Sequence, residues 1–346
     1  MIDSLDRLFL ERAVELAERG MFGVAENPRV GCILVRDGEV IGRGWHARTG
    51  GLHAEANAIA DAGGDVAGAT AYVSLEPCCH TGRQPPCTKA LIDRGVARVV
   101  GAMDDPDPRV AGRGYETLRA GGVAVDTTNL STALHLNAGY VSRVTRDAPY
   151  VRVKLGASLD GRTGMASGES QWITSAAARA DVQYWRARSS AIVTGVGTVL
   201  ADDPALTVRD GRFAADGHLR QPLVAIADSR NRTPPCAKVF QGAEVLLFAA
   251  ERGERVDLGQ MLKALAARGC NEVLVEAGPT LAGAFLRERL WDEAIVYVAP
   301  KLLGRTARPL AEIEFERLAD TVGGRVAACD RIGDDVRVIL KPDCPS

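Results

Sequence analysis

The sequence predicts an α/β protein built from two domains, residues 1–147 and 148–346. Three observations predict it. The chain has 346 residues, long for one ordinary domain. Short apolar runs alternate with amphipathic stretches of helical length, the order that builds a sheet covered by helices. The alternation breaks once, at "RDAPY", and then restarts; Pro149 disfavours helix at the residue before it and marks the boundary. Composition agrees: 46% hydrophobic and 25% charged residues make a soluble globular chain that can bury a core without disulfides. A formal charge of −2 argues against a general nucleic-acid binder, which would be strongly basic.

The first segment, "MIDSLDRLFLERAVELAERG", spaces Leu5, Leu8, Phe9, Ala13 and Leu16 as one helical face. Its charges leave no uninterrupted apolar core, so it reads as an amphipathic helix and not a signal peptide, and a cytoplasmic protein is expected. No apolar run approaches the roughly 20 residues of a membrane helix. The eight cysteines are then expected as reduced thiols, some of them ligands, with Cys32, Cys236, Cys270, Cys329 and Cys344 as buried or idle side chains.

Next, "VGCILVRDGEVIG" reads as a hairpin around Asp37-Gly38. A helix starts near His53, followed by strand "TAYVSLEP", helix "CTKALIDRG" closed by Gly95, strand "ARVVGAM", helix "YETLRAGG" and strand "VAVD". A largely parallel sheet is expected, with one last helix over residues 131–146. In the second half, "YVRVKLGASLDGRT" predicts a strand and turn, "TSAAARADVQYWRARS" a helix, and "AIVTGVGTVL" a strand into a glycine-containing turn. "PLVAIAD", "EVLLFAA", "EVLVEAG" and "EAIVYVAP" predict further strands, with "LGQMLKALAARG" a helix between two of them.

The chemistry concentrates in "LHAEANAIA" and "EPCCHTGRQPPC". A neutral imidazole with two thiolates suits zinc and leaves a fourth position open, as catalytic sites do. The zinc-deaminase signature is H-x-E followed by P-C-x-x-C. His53-Ala54-Glu55 and Pro77-Cys78 match it, but eight residues, not two, separate Cys78 from Cys87. Side chains at i and i+2 diverge on a helix, so His53 and Glu55 converge only where the chain enters the helix. Cys79 and His80 offer two further ligands, which leaves a closed structural clip as the alternative. Glu55 argues for catalysis, because a carboxylate beside an activated water can shuttle protons.

In the second half, "EVLVE" runs into Gly278-Pro279-Thr280 and a helix, a junction where backbone N–H groups can hold a phosphate. Gly195-Val196-Gly197 is a lone G-x-G and no dinucleotide fingerprint, and "GPTLAG" lacks the Lys-Ser/Thr of a P-loop. Lys154, within "VRVKLG", is an odd residue for an apolar strand.

These words resemble a family. "NPRVGCILV", "HAEANAI", "LEPCCHTGRQPPCTKALIDRGVARVV" and "DPDPRVAGRGYETLRAGG" are similar to the deaminase half of the bifunctional deaminase/reductase of riboflavin biosynthesis. "KLGASLDGRT", "SGESQWITS", "GVGTVLADDPALTVR" and "LVEAGPTLAGAF" are similar to its reductase half. The long cysteine loop separates this family from deaminases with the short P-C-x-x-C.

The resemblance implies a cytidine-deaminase-like α/β/α sandwich followed by a dihydrofolate-reductase-like α/β domain. It implies Zn2+ on His53, Cys78 and Cys87, selecting Cys78 over Cys79, with Glu55 passing the proton of an activated water to the departing amine. It lines the pyrimidine and phosphate site with Asn27, His46, His80, Arg83 and Asp105. The family often reads D-P-N-P where this chain has Asp105-Pro106-Asp107-Pro108, so a contact made by asparagine is expected to differ at Asp107. For the second domain it implies NADPH-dependent reduction of a ribosyl to a ribityl group. Gly156, Trp172, Thr198, Asp202, Ser229, Gly278, Pro279, Thr280 and Leu281 would hold the cofactor. Ser170, Arg186, Leu206, Arg209 and Glu276 would hold the substrate, the arginines as forks for its phosphate. Lys154 and Asp202 are the candidate polar groups beside the reacting sugar carbon. The expected partners are small phosphorylated pyrimidines, with no nucleic acid and no membrane, in a homo-oligomer.

Overall fold

The structure, a computed structural model, describes residues 2–82, 84–250 and 254–343. The chain divides into two compact units, Met1–Asp147 with Ala214–His218, and Ala148–Phe213 with Leu219–Ser346. No helix of the described residues is long and apolar enough to cross a membrane.

In the first unit the elements are α1 (Ser4–Ala17), β1 (Gly31–Arg36), β2 (Glu39–Trp45), α2 (Ala54–Asp61), β3 (Thr70–Val73), α3 (Cys87–Asp93), β4 (Arg98–Gly101), α4 (Arg113–Ala120), β5 (Ala124–Thr127), α5 (Ser131–Leu136) and α6 (Ala138–Arg146). The sheet order is β2-β1-β3-β4-β5. One face packs Ile33, Val35, Tyr72 and Val100 against α1, α5 and α6. The other packs Cys32, Leu34, Val73 and Val99 against α2, α3 and α4. This is an α/β/α sandwich, produced by the period-2 alternation of the strands.

Three expectations need correction. Helix α1 buries Phe9, Leu10, Ala13, Val14 and Ala17, leaving Leu5 (50%) and Leu8 (42%) exposed. The stripe is rotated from the expected one because Asp6 is buried too, accepting from Tyr72 Oη and the Arg98 guanidinium. The sheet is mixed, since β1 runs antiparallel to both β2 and β3 while β3–β4–β5 are parallel. The hairpin at Asp37 (φ 54°) and Gly38 (φ 82°) creates this reversal through two left-handed turn residues. Finally, residues 131–146 form two helices, not one. The Asn137 side chain interrupts them by bonding both the N–H and the carbonyl of Arg29, at 2.8 and 2.9 Å.

The second unit contains β6 (Tyr150–Ser158), β7 (Arg162–Gly164), α7 (Ala176–Arg188), β8 (Ala191–Gly195), α8 (Val196–Asp202), β9 (Leu223–Ala227), β10 (Val245–Phe248), α9 (Leu258–Ala267), β11 (Glu272–Glu276), α10 (Pro279–Arg287), β12 (Glu293–Ala299), β13 (Arg308–Pro309), β14 (Gly324–Ile332) and β15 (Asp335–Pro342). Its main sheet runs β10-β9-β8-β11-β6-β12-β15-β14, parallel from β10 to β12 and antiparallel beyond. Helices α9 and α10 pack on Val151, Val153, Val193, Val273 and Val275. Helices α7 and α8 pack on Ile192, Val224, Ile226, Leu274 and Tyr297. The second half of "AIVTGVGTVL", expected as a turn, belongs to helix α8, which starts directly after Gly195.

At the amino ends of these strands Arg152 donates to Glu272 (3.0 Å) and Glu293 (2.7 Å), and Arg188 donates to Glu272 at 2.8 Å. All lie within the protein, so removing one partner leaves a buried guanidinium poorly compensated. Glu272→Ala is therefore expected to cost about 3–5 kcal/mol, read as a shift of this unit's urea unfolding transition. The network pins the register of β6 between β11 and β12. Two residues further on, that register sets Lys154 beside Glu276.

Candidate active sites

His53 is the N-cap of α2, with extended backbone (φ −72°, ψ 164°), and Glu55 lies in the first turn. This is the geometry that lets the two side chains converge. The helix start is pressed onto β2, because a Cβ on Gly44 would meet the Ala54 carbonyl oxygen and the Ala58 nitrogen at 2.2 Å each. Only glycine permits that approach.

Cys78 sits in the turn after β3, and Cys87 is the first residue of α3, behind Pro86. His53 Nδ1 lies 3.2 Å from Cys87 Sγ and 3.5 Å from Cys78 Sγ. The ligand atoms of the three residues lie within 4.8 Å of one another. A tetrahedral zinc with ordinary bond lengths separates nitrogen from sulfur by about 3.5 Å, so the donor set fits that ion. Cys79 and His80 do not join it. The Cys79 thiol is directed to the Arg109 carbonyl at 3.8 Å, and His80 Nδ1 is buried with no hydrogen-bond partner among the described residues. The closed four-ligand clip is therefore not assembled among the described residues.

Glu55 is buried, 3% exposed. Burial, and then the negative charge of Cys78, push its carboxyl above the usual range, and it accepts a hydrogen bond from Cys87. A carboxyl shifted upward is a stronger proton acceptor than an exposed one. Hydrogen bonds from Cys87 and His53 pull Cys78 toward the thiolate.

Around this set, His46 Nδ1 is 2.9 Å from the Leu52 carbonyl, which can only accept. The proton is thereby on Nδ1, and Nε2 accepts from Asn27 Nδ2 at 3.3 Å. The His46 ring meets the His53 ring edge-on, with centroids 5.4 Å apart. Asn27, His46 and His53 thus form one connected group. Asp105, 7% exposed, accepts from Tyr140 Oη and the Asp107 N–H, each at 2.9 Å; burial raises its carboxyl to about 6. Asp107 is engaged by Arg109 through both oxygens, as its acidic replacement of an amide allows. Arg83 lies outside the described residues.

In the second unit Glu276 ends β11 and Gly278, Pro279 and Thr280 follow it, while Thr198 and Ser229 come after β8 and β9, at the carboxyl ends of parallel strands, where open α/β sheets bind ligands. Lys154 on β6 pairs in register with Glu276 on β11. Glu276 is held bidentately by Arg186, at 2.5 and 2.9 Å. Burial lowers the Lys154 ammonium, the Glu276 charge opposes this, and Arg186 adds to the lowering. Arg186 also donates to the Thr207 carbonyl at 3.1 Å, and the Arg209 N–H donates to Gln183 at 2.8 Å. Gln221 closes the other side of this loop, bonding both the N–H and carbonyl of Val208. Leu206, buried with φ 50°, leads into it. Ser170 lies beside Gly164, where an added Cβ would stand 3.4 Å away. That Gln183 and Gln221 hold this loop was not legible in the sequence, since nothing in their spacing marks what such an amide will bond.

Thr198 Oγ1 accepts from the Gly278 N–H at 3.1 Å, so that donor is taken. Pro279 has none, and no side chain caps α10, which leaves the N–H groups of Thr280 and Leu281 facing the junction. Trp172 is 61% exposed, with the Arg179 guanidinium 4.2 Å over its ring and Lys301 Nζ 2.7 Å from its carbonyl. A Cβ on Gly156 would stand 4.0 Å from Lys154 Nζ. Ser229 Oγ accepts from the Val256 N–H, in a turn that Asp228 fixes through Thr233. Asp202 is exposed at the end of α8, and no hydrogen bond or ion pair among the described residues ties it to Lys154. The carboxylate that faces Lys154 is Glu276.

Comparison with known proteins agrees with this division. Residues 149–336 match the family described as the RibD C-terminal domain, and residues 3–103 match the cytidine and deoxycytidylate deaminase zinc-binding region. The riboflavin biosynthesis protein RibD of Escherichia coli is 47% identical, over 96% of this chain and 98% of that protein. The structure of Acinetobacter baumannii RibD superposes with a TM-score of 0.94 at 42% identity, covering 98% of this chain and 99% of that one. A Thermotoga maritima structure described as a diaminohydroxyphosphoribosylaminopyrimidine deaminase/5-amino-6-(5-phosphoribosylamino)uracil reductase gives 0.87 at 31% identity, with the same coverage.

Proposed function

The chain belongs to the RibD family of bifunctional riboflavin-biosynthesis enzymes, a zinc-dependent deaminase joined to an NADP-dependent reductase, and we propose that its residues divide two consecutive reactions as follows. The first unit hydrolyses the exocyclic amine of 2,5-diamino-6-(5-phosphoribosylamino)pyrimidin-4(3H)-one. The second reduces the ribosyl group of the resulting 5-amino-6-(5-phosphoribosylamino)uracil to ribityl. The observation that carries the first assignment is the convergence of His53, Cys78 and Cys87 beside the buried Glu55.

His53, Cys78 and Cys87 hold the metal. Zinc, when bound, acidifies a water toward neutrality and so supplies the nucleophile. Glu55 takes the proton at its carboxylate and delivers it to the leaving amine. Asn27, His46 and His80 line the pyrimidine and phosphate site with Asp105, which accepts from the pyrimidine, and Arg83 is assigned to it by the family resemblance alone. Asp107, occupied by Arg109, does not contribute the amide contact that asparagine would. Removing zinc by chelation is expected to abolish ammonia release, to leave NADPH oxidation on the supplied deaminated product unchanged, and to be reversed by added zinc. Loss of both activities together would contradict the division.

The pH dependence follows from Asp105. Its carboxyl is ionised above about pH 6 and protonated below it. An ionised acceptor is needed for the pyrimidine N–H groups, so kcat/KM for deamination is expected to fall as pH drops through 6. Asp105→Asn should remove that limb of the pH profile while lowering kcat/KM throughout.

In the second unit NADPH supplies the hydride. Thr280 and Leu281 N–H groups, behind Gly278 and Pro279, receive a cofactor phosphate, as helix N-termini do. Gly156, Trp172, Thr198, Asp202 and Ser229 line the rest of the nucleotide path, with Asp202 open to the cofactor. Arg186, Arg209, Glu276, Leu206 and Ser170 hold the phosphorylated sugar. Lys154 places its ammonium at the reacting carbon, where it stabilises developing oxygen charge or delivers a proton. A cytoplasmic location fits a biosynthetic enzyme of this family that draws on NADPH. A homo-oligomer is supported by β14, a nine-residue edge strand with Val326 exposed at 60%. Light scattering that returned a monomer mass would set the oligomer aside.

A further inference from the structure

Glu76 is a buried carboxylate, 3% exposed, that neither proposed reaction uses. It follows β3 and stands two residues before Cys78. Among the described residues no cation pairs with it. Its oxygens are satisfied instead by four backbone donors. Oε2 accepts from the N–H of Asp105 at 3.2 Å and of Gly112 at 3.0 Å. Oε1 accepts from Gly114 at 2.8 Å and Tyr115 at 3.4 Å. A buried carboxylate is costly unless its lone pairs are met in this way, so the four donors are held as firmly as the charge itself.

What those donors belong to gives the clamp its meaning. Gly112, at φ 88°, is the N-cap of α4 and offers no capping side chain. Glu76 caps the helix from 36 residues away, where a negative charge also complements the helix dipole. The same group holds the N–H of Asp105, the proposed pyrimidine contact. On its other side the turn runs straight into Pro77 and Cys78. A Cβ on Gly114 would lie 2.2 Å from the Pro77 carbonyl oxygen, so α4 rests directly on that turn. Cys78 is in turn tied to α3 through its carbonyl, which accepts from the Thr88 N–H at 3.2 Å.

We infer that Glu76 is a positioning residue for deamination: by clamping the 105–115 loop to the turn that presents Cys78, it sets where Asp105 holds the pyrimidine relative to the reacting centre. The inference rests on the deaminase reading of the first unit. Glu76→Gln keeps the shape but replaces one acceptor with an amide donor, so part of the clamp opens. Misplacement of a substrate by a fraction of an ångström is enough to weaken productive binding severalfold.

The test measures Glu76→Gln beside the wild-type enzyme. KM for the diaminopyrimidinone phosphate is expected to rise about 10-fold or more while kcat changes less than about 3-fold. Zinc content should stay at the wild-type value, and reduction of supplied deaminated product should be unchanged. Hydrogen exchange should accelerate at the amides of Asp105, Gly112, Gly114 and Tyr115 but not in β3. A variant with wild-type KM, even if its melting temperature fell, would reduce Glu76 to a structural cap and overturn the inference. So would zinc loss with a proportional fall in kcat at constant KM. Glu76→Asp, too short to reach the same donors, carries the same expectations if the glutamine variant does not fold. A wild-type enzyme that released no ammonia would instead overturn the deaminase reading itself.

Discussion

Glutamine in place of Glu55 is expected to lower kcat for ammonia release by about 10³-fold or more, in the upper part of the range that general acid–base groups contribute. The side chain is buried in the first turn of α2 and hydrogen-bonded to Cys87, so glutamine fits the same space. It cannot carry a proton from water to amine. Zinc content should be unaffected, because the proposed ligands are His53, Cys78 and Cys87. Reduction of supplied 5-amino-6-(5-phosphoribosylamino)uracil should also be unaffected. Ammonia release within threefold of wild type would remove Glu55 from the mechanism and reopen a purely structural reading of the cluster.

Lys154→Met is expected to produce the complementary phenotype, lowering kcat for NADPH oxidation by about 10²-fold and sparing deamination. Methionine matches the length of the stem and leaves the Arg186–Glu276 pair in place. What disappears is the cation proposed to face the reacting sugar. Lys154→Arg is expected not to restore the rate, because a guanidinium does not release a proton at these pH values. Full activity in Lys154→Met would leave Glu276 and Arg186 as a substrate clamp without a catalytic neighbour.

Much of this was legible in the sequence, for identifiable reasons. His53-x-Glu55 and the Cys78–Cys87 loop are local motifs, so spacing offered the metal set, with Cys79 and His80 as rivals that the family resemblance set aside. Most strands and helices followed from periodicity, including the Asp37-Gly38 hairpin, but the antiparallel pair β14–β15 and the short β7 and β13 were not expected. Long-range contacts were hidden. Asn137 splits the last helix of the first unit because it bonds Arg29, more than a hundred residues away, and no pattern around Asn137 announces that. The antiparallel placement of β1 in the sheet is likewise a pairing choice, not a property of its residues. The burial of Asp6 depends on Tyr72 and Arg98, which is why the face of α1 came out rotated. In the second unit Lys154 stood out as a charge in an apolar strand, but its electrostatic partner is set by strand register. Glu276 faces it across the β6–β11 ladder, a pairing the sequence does not reveal. Glu76 is the extreme case: its proximity to Cys78 is visible in the sequence, its four backbone donors are not.

The central claim is that one chain carries out both steps in a fixed order. It is tested most directly by supplying 2,5-diamino-6-(5-phosphoribosylamino)pyrimidin-4(3H)-one, first without and then with NADPH, and following ammonia and NADPH in the same sample. The account predicts ammonia release without NADPH, and NADPH oxidation only after that release, reaching one equivalent per ammonia. NADPH oxidation with no prior ammonia release, or ammonia released from cytidine and none from this substrate, would contradict it.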